Sequence, residues 1–203
     1  MELLVTLGRT LGFSFAAGIN LYATVAILGL AARFGWVDLP AQYDVFDNNW
    51  VIGIAIACYL VEFVADKVPW VDTAWDAVHT VVRPLGGAFI AVTTLGDASP
   101  GAQAAVALLG GGVAAASHVT KASARVAANT SPEPLSNWAL SLAEDVFVLA
   151  LGVLTLALPA IAFGVALGLL LLIGVCSVAI VRAFRRRWTR GAGPQLPTVN
   201  ASV

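Results

Sequence analysis

Residues 50–95 read WVIGIAIACYLVEFVADKVPWVDTAWDAVHTVVRPLGGAFIAVTTL. Two apolar runs flank a short polar turn around Asp66, Lys67 and Pro69. The first run, 50–67, lacks the strict apolar–polar alternation of a half-buried strand. The second, 73–95, carries Asp76, His79 and Arg83 inside an otherwise apolar stretch. Each run has close to the ~20 residues that a helix needs to cross a hydrocarbon core. Lipid cannot hydrogen-bond a backbone, so runs this evenly apolar form helices and not barrel strands. The stretch predicts a pair of membrane helices that carry ionisable groups.

The same reading repeats outward. Apolar segments at 11–34 (with a short helical lead-in from residue 2), 102–127, 136–158 and 160–183 bring the expected spans to six. Composition agrees: of 203 residues, 59% are hydrophobic and 11% charged, and mean hydropathy is +0.87. A soluble domain carries about 25% charged residues, so a soluble enzyme and a disordered chain are both excluded. A net charge of -1 offers no basic field to a nucleic acid. The expectation is an all-α polytopic membrane helix bundle in one domain, 1–187, followed by a disordered cytoplasmic tail, 188–203. The start lacks a basic cluster and a cleavage site, so it reads as retained helix and not as a signal peptide. Cys58 and Cys176 stand in apolar runs far from any CxxC and read as buried structural thiols.

If six spans alternate, Arg9, Lys67, Arg83, Lys121, Arg125, Arg182, Arg185, Arg186, Arg187 and Arg190 share one side, against Arg33 alone. The positive-inside rule then puts both termini in the cytoplasm. Loop 35–49, with Asp38, Asp44 and Asp47, becomes exterior. The run RAFRRRWTR, 182–190, reads as a stop-transfer anchor, with contact to anionic lipid as the alternative. A short internal repeat is also visible. ADKVPWVDTAW, 65–75, and ANTSPEPLSNW, 128–138, align Ala65 with Ala128, Pro69 with Pro132 and Trp75 with Trp138. Two hairpins pointing the same way would place a site between them.

Ionisable residues in a span cost about 3 kcal/mol each on insertion scales, so they mark function. Asp72, Asp76, His79 and Arg83 share one helical face. His118, Lys121, Arg125 and Asn129 share another, and Asn137, Ser141, Glu144 and Asp145 a third. Glu62 and Asp66 end the preceding helix, and Asn20 and Tyr22 lie beside Gly18 in the first span. Turned inward, these stripes predict a polar cavity that opens to the cytoplasm, with Arg83 and Glu144 deepest. The expected pairs are Arg83 with Glu144 or Asp145, and Lys121 or Arg125 with Glu62 or Asp66. Pro84, followed by Gly86 and Gly87, predicts a kink beside Arg83. Gly110–Gly112 predicts close helix packing, as do Gly164 and Gly168, where a dimer contact is the alternative.

Asp72, Asp76, His79 and His118 are of metal-ligand type. Four cations share their region and no HExxH or CxxC is present, so metal is the lesser reading. No phosphate loop, dinucleotide fingerprint or GxSxG element implies a cofactor. The strings at 18–40 (GINLYATVAILGLAARFGWVDLP), 59–87 (YLVEFVADKVPWVDTAWDAVHTVVRPLGG) and 128–146 (ANTSPEPLSNWALSLAEDV) resemble the bacterial membrane family known as domain of unknown function 4126. The resemblance runs over roughly 10–158 and implies a small polytopic membrane protein; no activity is carried over from it. It marks Asn20, Tyr22, Glu62, Asp66, Lys67, Asp72, Trp75, Asp76, His79, Arg83, Pro84, Asn129, Glu133, Asn137, Glu144 and Asp145 as motif positions.

The leading expectation is a transporter or channel for a small polar or charged solute, with proton coupling open. A membrane-embedded metal-dependent enzyme and a non-catalytic assembly protein are the alternatives. The bilayer and the solute are the expected partners, no nucleic acid is, and a homo-oligomer is left open. Seven acids against four bases leave cation versus anion undecided.

Overall fold

The structure, a computed structural model, describes residues 1–129 and 134–191. All regular structure among them is helical: α1 (Glu2–Ile19), α2 (Leu21–Phe34), a 3-10 turn (Ala41–Phe46), α3 (Asn49–Ala65), α4 (Pro69–Leu95), α5 (Pro100–Asn129), α6 (Pro134–Ala157) and α7 (Pro159–Gly191). α1 and α4 to α7 are long and apolar enough to cross a membrane. α2 and α3 are apolar but shorter, at 14 and 17 residues. The chain is a multi-pass membrane-type helical bundle. Its surface agrees: Leu60, Val64, Val78, Val81, Leu85 and Val146 stand exposed, where only lipid suits them.

The expected single span at 11–34 is two helices. Asn20 separates them in an extended conformation, with φ -146° and ψ 99°. Its Oδ1 accepts from the Ala23 N–H at 2.9 Å and so caps the start of α2. α2 then runs back along α1. α6 records the reversal, since Thr155 packs on Gly12 of α1 and Gly152 on Ile27 of α2. Tyr43, beyond α2, lies 6.0 Å under the Arg9 guanidinium and 6.4 Å from the Phe13 ring. Arg9 therefore shares an end of the bundle with Arg33, which corrects the alternation that set them on opposite sides. Hydropathy is blind to such a break, because one capping amide satisfies the backbone and leaves the apolar run intact.

α4 runs unbroken through Pro84 to Leu95, so the interruption falls at Asn20 instead. Glycines set the closest approaches. A Cβ on Gly18 would meet Ser117 and Ala114, and one on Gly110 would meet Ala91 and the Gly87 backbone. α1, α4 and α5 are thereby held backbone to backbone. Gly164 and Gly168 face open space, so the packing expected there is absent among the described residues. The apolar core gathers Phe13, Leu28, Tyr43, Phe46 and Ile90.

Two units divide the chain: Met1–Leu170, which holds the bundle just described, and Leu171–Val203. Within the second unit α7 continues to Gly191, and from Leu171 to Arg186 it is mostly exposed. The rest of the expected tail, 192–203, lies outside the described residues, as do Pro132 and Glu133. Both cysteines are free; Cys58 is half-buried and Cys176 exposed, not buried as expected. A lipid-facing surface accepts an apolar thiol as readily as a core does.

Candidate functional site

α3 to α6 meet at the end of the bundle where the 66–68 turn lies, and each turns its polar stripe inward. Glu62, Asp72 and Arg83 are 0% exposed, Arg125 and His118 1%, and Lys121 5%. Asp66, Asp76, His79, Asn137 and Asp145 are buried too. The stripes therefore pack together as expected. Glu133 lies outside the described residues.

Arg83 Nη2 donates to Glu62 Oε1 at 2.7 Å, and Nη1 reaches Asp76 Oδ1 at 3.2 Å. The expected pairing of Arg83 with Glu144 or Asp145 is thus wrong. Glu144 belongs to Arg125, whose Nη2 meets Glu144 Oε2 and Asp66 Oδ2 at 2.6 Å each. Depth along a helix suggested the first pairing, but direction around the helix decides partners. Arg125 Nη1 also donates to the Asp66 carbonyl at 3.0 Å and to Asn137 Oδ1 at 3.1 Å. Asn137 Nδ2 donates to that same carbonyl at 3.1 Å. One guanidinium so ties α5 to α6 and to the end of α3.

Lys121 has the partners expected of it, Glu62 Oε1 at 3.2 Å and Asp66 Oδ2 at 3.4 Å. It adds Glu144 Oε2 at 3.6 Å and the Ile19 carbonyl at 3.2 Å. That carbonyl ends α1, where the helix dipole favours a cation. No pattern in the sequence announced it, because it is freed only by the break at Asn20. Asn20 itself spends its side chain on the cap of α2. Its part in the site is to place that carbonyl.

The two histidines are fixed by their neighbours. Arg83 Nη1 lies 2.6 Å from His118 Nδ1. A guanidinium only donates, so Nδ1 accepts and Nε2 carries the proton. Nε2 then donates to Thr80 Oγ1 at 3.2 Å, and Thr80 passes its own proton to the Asp76 carbonyl at 3.0 Å. His79 Nδ1 donates to the Trp75 carbonyl at 2.7 Å, and its Nε2 meets the Tyr22 hydroxyl at 3.1 Å. The ring stacks on Trp75 at 4.7 Å.

Both nitrogens of both histidines are therefore occupied. Asp72 takes Asn129 Nδ2 at 2.9 Å. Among the described residues no three His, Cys, Asp or Glu side chains converge as metal ligands. The candidate set Asp72, Asp76, His79 and His118 does not converge on one point, and hydrogen bonds within the bundle hold both histidine rings and one oxygen of each aspartate. Thr73 and Thr80 belong to the site but escaped the sequence reading. Thr80 sits four residues after Asp76, so the stripe itself pointed to it.

The open space left is modest. A cavity of about 160 Å³ lies between α4 and α5, lined by Asp72, Thr73, Asp76, Thr80, Arg125 and Asn129 among others. Charge in the site is uneven. Glu62, Asp66, Asp72, Asp76, Glu144 and Asp145 oppose Arg83, Lys121 and Arg125. Lys67 stands at the turn, its ammonium on the Phe63 carbonyl at 2.8 Å and on the Phe63 ring. Burial there pushes the Lys67 pKa down, while Asp145 and Asp66 pull it up.

The family described as Domain of unknown function (DUF4126) matches residues 7–179. Neither a curated protein nor a solved structure matches the chain.

Proposed function

The chain belongs to the DUF4126 family, and we propose that it carries a small cation, with proton exchange at its carboxylates, across a bacterial plasma membrane. One observation carries this reading. Five buried acids and the half-buried Glu144 face three buried bases and the half-buried Lys67, and each of the three buried bases is already engaged by carboxylates. An arriving anion would find no unclaimed positive charge among the buried bases, Lys67 standing apart at the turn. An arriving cation or proton would relieve a surplus of negative charge in a medium that screens poorly.

Glu144 is the residue to exchange protons. Its side chain is 12% exposed, against 3% for Asp66 and 0% for Glu62. It also touches both Lys121 and Arg125, so a change in its charge reaches the whole network. In proteoliposomes with an imposed cation or proton gradient, Glu144→Gln should lower flux at least about a hundredfold, the low end of the scale for one lost proton-transfer group. Its thermal unfolding should stay within a few degrees of wild type. Undiminished flux would remove Glu144 from this role.

We place the 66–68 end in the cytoplasm. Lys67, Arg83, Lys121 and Arg125 lie toward that end, against Arg9 and Arg33 at the other. The N-terminus is then exterior, along with loop 35–48.

A second reading has one observation in its favour. The ion pairs run without interruption through α3, α4, α5 and α6, as a purely structural clamp would. The double exchange Arg125→Glu with Glu144→Arg separates the two. A clamp regains function when the pair is swapped, whereas a cation path does not, because the surrounding acids no longer face the same charge.

A further inference from the structure

We propose that the cavity between α4 and α5 binds a small monovalent cation (sodium, potassium or ammonium in size and charge), with Asp72 as its charged ligand. The inference rests on the cation reading above for its place in transport, but not for the binding itself.

Asp72 is 0% exposed. Its Oδ2 accepts from the neutral amide of Asn129, and its Oδ1 has no partner. Glu62, Asp66, Asp76 and Glu144 each touch a lysine or an arginine. Asp72 touches none, and yet it lines a cavity. A buried carboxylate with one neutral partner is strongly disfavoured, so a proton or a cation must join it.

The lining favours the cation. Besides Asp72 it presents the Asp76 carboxylate and the Thr73 and Thr80 hydroxyls, which are hard oxygen donors. Thr80 Oγ1 donates to the Asp76 carbonyl and accepts from His118 Nε2, which leaves it one lone pair for a ligand. Arg125 also lines the space, but its guanidinium is held by Asp66, Glu144 and Asn137. Asp76 is balanced by Arg83 at 3.2 Å, so the cavity carries about one uncompensated negative charge. That charge calls for a monovalent ion. The volume of about 160 Å³ holds roughly five waters at ~30 Å³ each, so the ion keeps part of its hydration.

The test uses the full chain in detergent and reads thermal unfolding at constant ionic strength. N-methyl-D-glucamine chloride is replaced by sodium, potassium or ammonium chloride. At least one ion should raise the unfolding temperature of wild type by about 3 °C or more, saturably. Asp72→Asn should abolish the rise, and Asp97→Asn, at an exposed turn, should keep it. Should Asp72→Asn fail to fold, Thr80→Val must shift half-saturation about fivefold or more, the weight of one lost ligand. No ion response in wild type, an undiminished response in Asp72→Asn, or an unmoved half-saturation in Thr80→Val would overturn the proposal. Ion binding without flux would leave this site standing and defeat the transport reading. Flux without ion binding would do the reverse.

Discussion

Tyr43 shows how one side chain ties the bundle end away from the site. It is 0% exposed and donates to Thr94 Oγ1 at 2.9 Å, while Thr94 donates to the Ile90 carbonyl at 2.8 Å. Burial raises the phenol above its ordinary value of 10.0. The folded chain then holds this proton to higher pH than the unfolded chain does. Stability contributed by Tyr43 is complete below pH ~10 and is lost as pH climbs beyond it. The fall of unfolding temperature between about pH 9 and 11 should be shallower in Tyr43→Phe than in wild type. An equal slope would remove Tyr43 as a contributor. Depth along the helices pointed to Lys121 or Arg125 beside Glu62 or Asp66, and both bases meet Asp66. Arg83 was misassigned because its partner depends on which way α3 turns, and no local pattern encodes that.

At the scale of elements, the triple glycine of α5 separates packing from composition. Gly110 and Gly111 face α4, with Ala91 and the Pro84 carbonyl in the way of an added Cβ. Gly112 meets nothing within 4 Å. Gly110→Val should destabilise the bundle by ~1–3 kcal/mol, as overpacking does. Gly112→Ala should be neutral, or stabilising by up to about 1 kcal/mol through helix propensity. Thermal unfolding of the two variants in detergent checks the contrast, and equal effects would deny the face assignment. The helices themselves were legible from length and hydropathy, since each must satisfy its own backbone. The break at Asn20 was not, although Gly18, Asn20 and Tyr22 had already drawn attention to that point. A polar residue inside an apolar run reads equally as a site residue or as a cap, and only the reversal of α2 along α1 decides.

At the scale of the whole molecule, the α1–α2 hairpin sets the topology. Single cysteines at Leu3 and Val45 in a background without Cys58 and Cys176 should react with an impermeant maleimide from one side of sealed vesicles. A cysteine at Lys67 should react from the other. Opposite labelling of Leu3 and Val45 would restore a single span at 11–34 and undo the fold given for α1 and α2. The sequence by itself determined that this is an all-helical membrane protein and which faces of four helices turn inward. Those properties follow from the solvent: lipid demands closed backbone hydrogen bonding and rejects charge, and both demands are written locally along the chain. Tertiary structure alone decided which acid meets which base, that no three His, Cys, Asp or Glu side chains converge among the described residues, and that Asp72 has no lysine or arginine beside it. Ion pairs and cavities depend on the rotation and direction of neighbouring helices, and the α1–α2 reversal at Asn20 sets these without a trace in hydropathy.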